Sequence, residues 1–199
     1  MLKDKDNDPC NMKEYLARIN AFIGQLDNDT LSALQDISQT KTYRKGEFLL
    51  RQDEVCRYSF SIREGILRKF YLNDGKEITT ELLFAEDIAV AFDSYVLQKP
   101  GKEFIQALAD TTVYRTDFTA FQQAKIKYPK LVALDLLMTE YYALWLENRL
   151  FEFHTLDATQ RYLLLLKDHP HMLQHVPLTH IASYMGISLE TLSRIRARI

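Results

Sequence analysis

The sequence is poor in the residues from which metal, haem and disulfide sites are usually built. Among its 199 residues it has two cysteines, Cys10 and Cys56, and no histidine before residue 154. Two cysteines are too few for a disulfide framework or a four-thiolate iron–sulfur cluster, so we expect free thiols. The missing histidines remove the usual haem ligand from residues 1–153, together with the strand-borne metal ligands of cupin-type enzymes.

Long apolar runs and catalytic motifs are missing as well. No stretch of about 18 apolar residues occurs, so we expect no transmembrane helix and no membrane partner. The polar N-terminus lacks the apolar segment of a signal peptide. Ser and Asp residues are scattered without a nucleophile motif, and there is no Gly-rich phosphate loop. The sequence therefore indicates a cytoplasmic protein that is not an enzyme and has no cofactor or metal.

The charge is small overall but unevenly distributed. The net charge is −2, which argues against a protein that coats nucleic acid indiscriminately. Residues 154–199 carry five Lys and Arg against three Asp and Glu, and Arg194, Arg196 and Arg198 lie in the last six residues. A small basic end on an acidic body is typical of a confined DNA-binding module, although a solvated helix end would look the same.

The middle of the chain is rich in short β-type segments. Residues 12–22 and 30–37 have helical patterns, whereas from residue 41 to about 117 apolar runs alternate with turn signals. The clearest is Asn73-Asp74-Gly75, which predicts a hairpin. Short strands at this spacing predict a sandwich, a barrel or a β-roll and not a parallel α/β sheet.

A long amphipathic helix is predicted after Pro129. Its apolar residues recur at three- and four-residue spacing, and the stripe is wider than one neighbouring element usually covers. We therefore predict a parallel dimer seam, with packing onto the chain's own β-domain as the alternative. The seam consists of Leu131, Leu134, Met138, Tyr141 and Trp145. Beyond it, Thr155 and Asp157 are both candidate N-caps for a helix over residues 158–166.

The most informative segment is 178–195, which has the pattern of a helix-turn-helix. Ala182 is small where the two helices would cross, and Gly186 tolerates the positive φ of the turn. Ser188 is placed to cap the second helix, and Ile187, Leu192 and Ile195 supply its apolar side. An ordinary helical hairpin is the alternative.

The order of these segments resembles the Crp/Fnr family of bacterial regulators from about residue 15 onwards. Residues 43–53, 63–68 and 73–77 resemble the family's β-roll turns, and residues 181–194 are the most specific match. The resemblance implies an α+β fold: an N-terminal β-roll, which is a cyclic-nucleotide-binding-like jelly roll, then a long dimerisation helix and a C-terminal winged-helix-type helix-turn-helix. The implied domains are residues 1–127, 128–153 and 154–199.

The resemblance fails at the family's nucleotide pocket. Members that bind cyclic nucleotides carry a Gly-Glu pair and an Arg followed by Ser or Thr, whereas these slots here hold Val90-Ala91 and Gly101-Lys102. A buried phosphate needs a bidentate cation and converging N–H donors. We therefore predict no response to cyclic AMP, and either an effector of unknown identity or a β-roll kept as a scaffold.

The resemblance also implies which residues meet DNA. Glu190, Ser193 and Arg194 match the base-reading residues of Fnr-like members and share one helix face. Leu189 replaces an arginine of cyclic-AMP-responsive members. A palindromic operator with TTGA-like half-sites follows, bound by a homodimer that also contacts RNA polymerase. The complete predicted DNA-binding set is Thr179, Ser188, Leu189, Glu190, Thr191, Ser193, Arg194, Arg196 and Arg198. The rival functions are a small-molecule-binding β-roll that acts through protein contacts and a cupin-like enzyme.

Overall fold

A computed structural model describes residues 12–170 and 172–199. The first two elements of the described residues are short helices, α1 (Met12–Ile23) and α2 (Asn28–Asp36). Asp27 caps α2, and its side chain accepts the Thr30 N–H at 2.9 Å. Cys10 lies outside the described residues, and Cys56 is a buried free thiol whose pKa is raised by burial.

Eight strands form the β-roll that the sequence predicts. They make two four-stranded sheets, in the orders β1-β8-β3-β6 and β2-β7-β4-β5. Asn73 pairs with Lys76 in the β4–β5 hairpin, so the predicted Asn-Asp-Gly turn is confirmed. The strands are β1 (Ser38–Tyr43), β2 (Phe48–Leu50), β3 (Tyr58–Glu64), β4 (Leu67–Asn73), β5 (Lys76–Leu83), β6 (Ile88–Ala89), β7 (Glu103–Ala107) and β8 (Thr111–Asp117).

The space between the two sheets is filled by inward-facing residues of alternating strand positions. Phe60, Leu67, Ile105 and Val113 are almost fully buried there, and Ala91 closes one end of the same cluster. Each large aliphatic or aromatic side chain that is fully buried stabilises the folded state by roughly 1.5–3 kcal/mol. The sheets are thus held by an apolar core, and β5 is left at an open sheet edge.

Helices flank the roll on one side. The helix α3 (Phe92–Leu97) follows β6, α4 (Phe118–Lys127) follows β8, and α5 (Lys130–Thr155) is the long helix that the sequence predicts. One apolar face of α5 packs on α1, where Leu131, Leu134 and Leu137 form a buried cluster with Ile19 and Leu26.

This packing corrects part of the predicted dimer seam. Leu131 and Leu134 are buried inside the same chain, and Met138 and Tyr141 pack against the same cluster. Trp145 is partly buried and stacks on Tyr142. The reason is that α1 covers the stripe that the sequence presented as unpartnered. A different stripe of α5 is exposed, and it consists of Val132, Leu136, Thr139, Ala143, Leu146, Leu150 and Phe153.

Four helices form the C-terminal part, and they share a core with the β-roll. They are α6 (Ala158–Asp168), α7 (Met172–His175), α8 (Leu178–Tyr184) and α9 (Leu189–Arg196). Of the two candidate caps, Asp157 caps α6 in a capping box with Gln160. Ile66, Leu82 and Leu108 of the roll join the buried residues of these helices in one cluster. None of the described helices is long and apolar enough to cross a membrane.

Candidate nucleic-acid interface

The segment that predicts a helix-turn-helix forms two short helices joined by a tight turn. Ile181 and Ala182 of α8 are buried against Leu192 and Ile195 of α9. Gly186 has φ +66°, a conformation that L side chains rarely adopt, and a Cβ there would lie 3.3 Å from the Phe153 ring. The predicted glycine turn and the small crossing residue are therefore both present.

The second helix is capped as its sequence predicts. Ser188 precedes α9 with extended backbone, and its Oγ accepts the N–H of Thr191 at 3.1 Å. The backbone N–H of Glu190, together with the Ser188 hydroxyl, holds the pKa of the Glu190 carboxyl below its usual value. The start of α9 is thus fixed by local hydrogen bonds, and its side chains point in defined directions.

The outer face of α9 brings the predicted base-reading residues together. Glu190, Ser193 and Arg194 are all exposed, while Leu192 and Ile195 anchor the opposite face. The Arg194 guanidinium donates to Thr191 Oγ1 at 3.2 Å. No salt bridge joins Arg194 to Glu190 within residues 172–199, so the guanidinium is not held by a carboxylate.

The other predicted DNA contacts surround this face. Thr179 is exposed in the first turn of α8, and Leu189 is 38% exposed at the start of α9. Arg196 and Arg198 are exposed at and just beyond the end of α9. Each of these side chains is therefore accessible to solvent.

Two histidines of this region, His169 and His180, are partly buried. The His169 ring stacks on Phe84 with centroids 4.0 Å apart, and burial lowers its pKa. Burial and the charge of Arg68 lower the pKa of His180. His171 lies outside the described residues. No group of three or more metal-ligating side chains occurs in the part of the chain that the structure describes.

Three polar side chains hold the helix-turn-helix against the rest of the chain, and no sequence pattern indicated them. Ser183 Oγ accepts the Thr79 N–H at 2.9 Å and donates to the Glu77 carbonyl at 3.1 Å, so it binds the open edge of β5. Arg149 of α5 donates to the Tyr184 carbonyl at 2.6 Å. Arg161 of α6 donates to the Met185 carbonyl at 3.3 Å, and its Nε is buried without a hydrogen-bond partner.

A buried charge cluster lies where the β-roll meets α5. Lys69 is 2% exposed and forms an ion pair with Glu81, and its Nζ lies 3.8 Å from Glu103. The same ammonium donates to the carbonyl of Val90 at 3.2 Å, and Tyr142 of α5 donates to Glu81 at 3.1 Å. Burial alone lowers the pKa of Lys69, but the two carboxylates outweigh it and the net pKa is raised.

Comparison with known proteins shows what the β-roll is similar to. A family model for the cyclic nucleotide-binding domain matches residues 40–128. Curated protein sequences give no match to this chain.

Solved structures match over most of the chain. FixK2 from Bradyrhizobium japonicum is 18% identical, with a TM-score of 0.67 over 81% of this chain and 84% of its own. The c-di-GMP-responsive global regulator CLP from Xanthomonas campestris is 14% identical, with a TM-score of 0.65 over 86% and 91%. A CooA mutant from Carboxydothermus hydrogenoformans is 20% identical, with a TM-score of 0.61 over 87% and 79%. At these identities the likeness shows a common fold.

Proposed function

We propose that this chain, which has the fold of the Crp/Fnr family of regulators, is a sequence-specific DNA-binding regulator of transcription. The β-roll, long helix and C-terminal helices have the fold of solved regulators of this type, and residues 40–128 match a family model for the cyclic nucleotide-binding domain. The fold alone does not fix a function. What carries the proposal is the outer face of α9, where Glu190, Ser193 and Arg194 are exposed on one capped helix.

The chemistry of this face suits the edges of base pairs in a major groove. An arginine pairs bidentately with guanine O6 and N7, and a glutamate accepts from a cytosine amino group. The Arg194 guanidinium donates to Thr191 at 3.2 Å, a solvent-exposed contact that it can exchange for such a pair. The exposed apolar Leu189 suits contact with a thymine methyl group. These features support TTGA-like half-sites.

We propose that the active form is a homodimer that pairs through the exposed stripe of α5. Val132, Leu136, Leu146 and Leu150 are 46–59% exposed, which leaves a large apolar surface in water. Successive stripe residues are alternately four and three positions apart, as in a coiled-coil seam. A twofold dimer would present two recognition helices to a palindrome with half-sites one helical turn apart. Contact with RNA polymerase remains a prediction that follows from this function.

We further propose that cyclic AMP is not the effector. The Lys69 ammonium contacts the Val90 carbonyl, in the segment that replaces the Gly-Glu pair of nucleotide-binding members. Lys102 is the only cation of the Gly101-Lys102 slot, and its ammonium lies over the Tyr71 ring. Glu81 and Glu103 already place two carboxylates beside one ammonium, which disfavours a third anion there.

Selection of bound sequences from a random duplex pool tests the function. The wild type is expected to enrich a palindrome, and Arg194→Ala to relax the preference at guanine at a cost of roughly 1–3 kcal/mol. Arg198→Ala is the matched control, because it removes an arginine outside the predicted base-reading face. If neither protein enriches a motif and binding to duplex DNA lacks salt dependence, a β-roll that acts through protein contacts becomes the better explanation.

A further inference from the structure

One face of α5 carries a continuous series of ring and cation contacts. Tyr142, Trp145 and Arg149 are three and four residues apart, so they lie along one side of the helix. The rings of Tyr142 and Trp145 are stacked with centroids 5.8 Å apart and planes 13° from parallel. The Arg149 guanidinium lies 5.9 Å from the Trp145 ring centroid. The series spans about two turns of α5.

The series begins at the buried charge cluster of the β-roll. Tyr142 Oη donates to Glu81 at 3.1 Å, and it lies 3.4 Å from Lys69 Nζ. The Tyr142 ring also contacts Phe92 of α3, with centroids 5.1 Å apart. A change in the ionic cluster therefore acts directly on the position of Tyr142, because a buried charge must keep its partners.

The series ends at the turn of the helix-turn-helix. Arg149 donates to the Tyr184 carbonyl at 2.6 Å, and its guanidinium lies 3.6 Å from the centroid of the Tyr184 ring. Tyr184 is the last residue of α8, two positions before Gly186 and four before the cap Ser188. Arg149 thus holds the end of α8, just before the turn that leads to α9.

We infer that Arg149 is a positioning residue for α9. We also infer that the position of the Arg149 side chain is coupled, through Trp145 and Tyr142, to the Lys69 cluster. The inference rests on the proposed function for its effect on DNA, but the coupling itself does not require DNA. A series of contacts establishes adjacency, whereas coupling must be measured as non-additivity between two changes. The rival route is the direct contact of Ser183 with β5, which bypasses Arg149.

A first experiment, without DNA, follows hydrogen exchange in residues 178–196. Tyr142→Phe removes the hydroxyl at the charge cluster but keeps the ring, and it should speed exchange there by about fivefold or more. The matched control is Tyr15→Phe, which removes a hydroxyl that binds Glu140 on another face of α5. In an Arg149→Lys background, Tyr142→Phe should have no further effect. Unchanged exchange in Tyr142→Phe, or an effect that persists undiminished in that background, overturns the coupling.

A second experiment uses Trp145, the only tryptophan of the chain, as a reporter. Saturating operator DNA should change its emission in the wild type and in Arg115→Lys, a matched control whose guanidinium lies over the Tyr58 ring of the β-roll, away from Trp145. Arg149→Lys keeps the charge but lacks the planar fork, so it should abolish the emission change and weaken DNA binding roughly tenfold. An equal emission change in Arg149→Lys overturns the inference. If the wild type binds no DNA while the exchange result holds, the proposed function fails and the coupling stands.

Discussion

Asp87 has the most unusual ionisation among the carboxylates of the β-roll. Burial, with repulsion from Glu81 and Glu86, raises its pKa from 3.8 to about 6, although its side chain accepts the Phe84 N–H at 2.7 Å. Because the pKa is higher in the folded than in the unfolded chain, the folded chain binds the proton more tightly. The ionised carboxylate therefore costs up to about 3 kcal/mol above pH 6, and this cost disappears as the pH falls towards 4.

The first prediction is that Asp87→Asn stabilises the protein at neutral pH only. The amide oxygen can still accept the Phe84 N–H, while the charge is gone. Urea unfolding of both proteins at several pH values gives the difference in the free energy of unfolding. The variant should be more stable above about pH 6.5, and its advantage should disappear below about pH 4. An advantage of the same size at both ends of this range would contradict the ionisation argument.

At the same scale, local signals were predictable and buried charges were not. Ser188 and Gly186 follow from short-range rules, because a cap and a turn involve neighbours in sequence. Arg68 and Lys69 belong to a strand whose charges suggest a solvated face, yet they are 1% and 2% exposed. The partners of Lys69 come from β5, β7 and α5, and no local pattern reveals that they meet.

The long helix shows why the predicted seam differs from the exposed stripe. The sequence revealed that α5 has more apolar surface than one neighbour covers, but both of its stripes have three- and four-residue spacing. Which stripe faces inward depends on α1, and its Ile19 buries the Leu131 side. Such a choice is set by tertiary packing and cannot be read from the periodicity of one helix.

The second prediction is that Leu146→Glu separates the dimer without unfolding the chain. Leu146 lies on the exposed stripe. In the dimer, a glutamate at this position would be buried in the seam without a partner of opposite charge. Sedimentation at micromolar concentration should show a wild-type dimer and a variant monomer. Phe151→Glu is the matched control, since Phe151 is 50% exposed but off the stripe, and it should remain dimeric. A monomeric wild type, or a Leu146→Glu variant that stays dimeric, would contradict the proposal that the exposed stripe is the dimer seam.

Met138→Glu should instead lower the stability of the monomer, because Met138 packs against the cluster with α1.

The third prediction separates the two ends of α9 by their salt dependence. Arg196 and Arg198 are exposed near its C-terminal end and are expected to meet phosphate. Replacing either with Ala should lower affinity about equally for all duplex sequences. It should also reduce the slope of log affinity against log salt by about 0.9 for each phosphate that the arginine neutralises. Arg194→Ala should change sequence preference in the same fluorescence anisotropy titrations. A change of preference in Arg196→Ala would place that residue at the base edges instead.

At the scale of the molecule, the order of elements was predictable and their docking was not. Periodicity and turn signals are local, and they indicated the long helix, the C-terminal helices and a sandwich, barrel or β-roll, among which the resemblance to the Crp/Fnr family favoured the β-roll. The shared core of Ile66, Leu82 and Leu108 with the C-terminal helices joins segments far apart in sequence. So does the bond of Ser183 to β5. These contacts make the helix-turn-helix part of one body with the β-roll, and it is not a module on a free hinge.

The last prediction is that neither cyclic AMP nor cyclic GMP binds. A ligand that binds the folded state with micromolar Kd would, at about 1 mM, stabilise it by roughly 4 kcal/mol. For a chain of this size the melting temperature would then rise by about 10 °C. We expect no rise, because Lys69 is already paired with Glu81 and bound to the Val90 carbonyl, so a phosphate would have to displace both contacts. Duplex DNA carrying the selected operator is the positive control, since it should raise the melting temperature in the same assay. A saturable rise with either nucleotide would mean that the Lys69 cluster opens, and Tyr142→Phe should then change the apparent Kd.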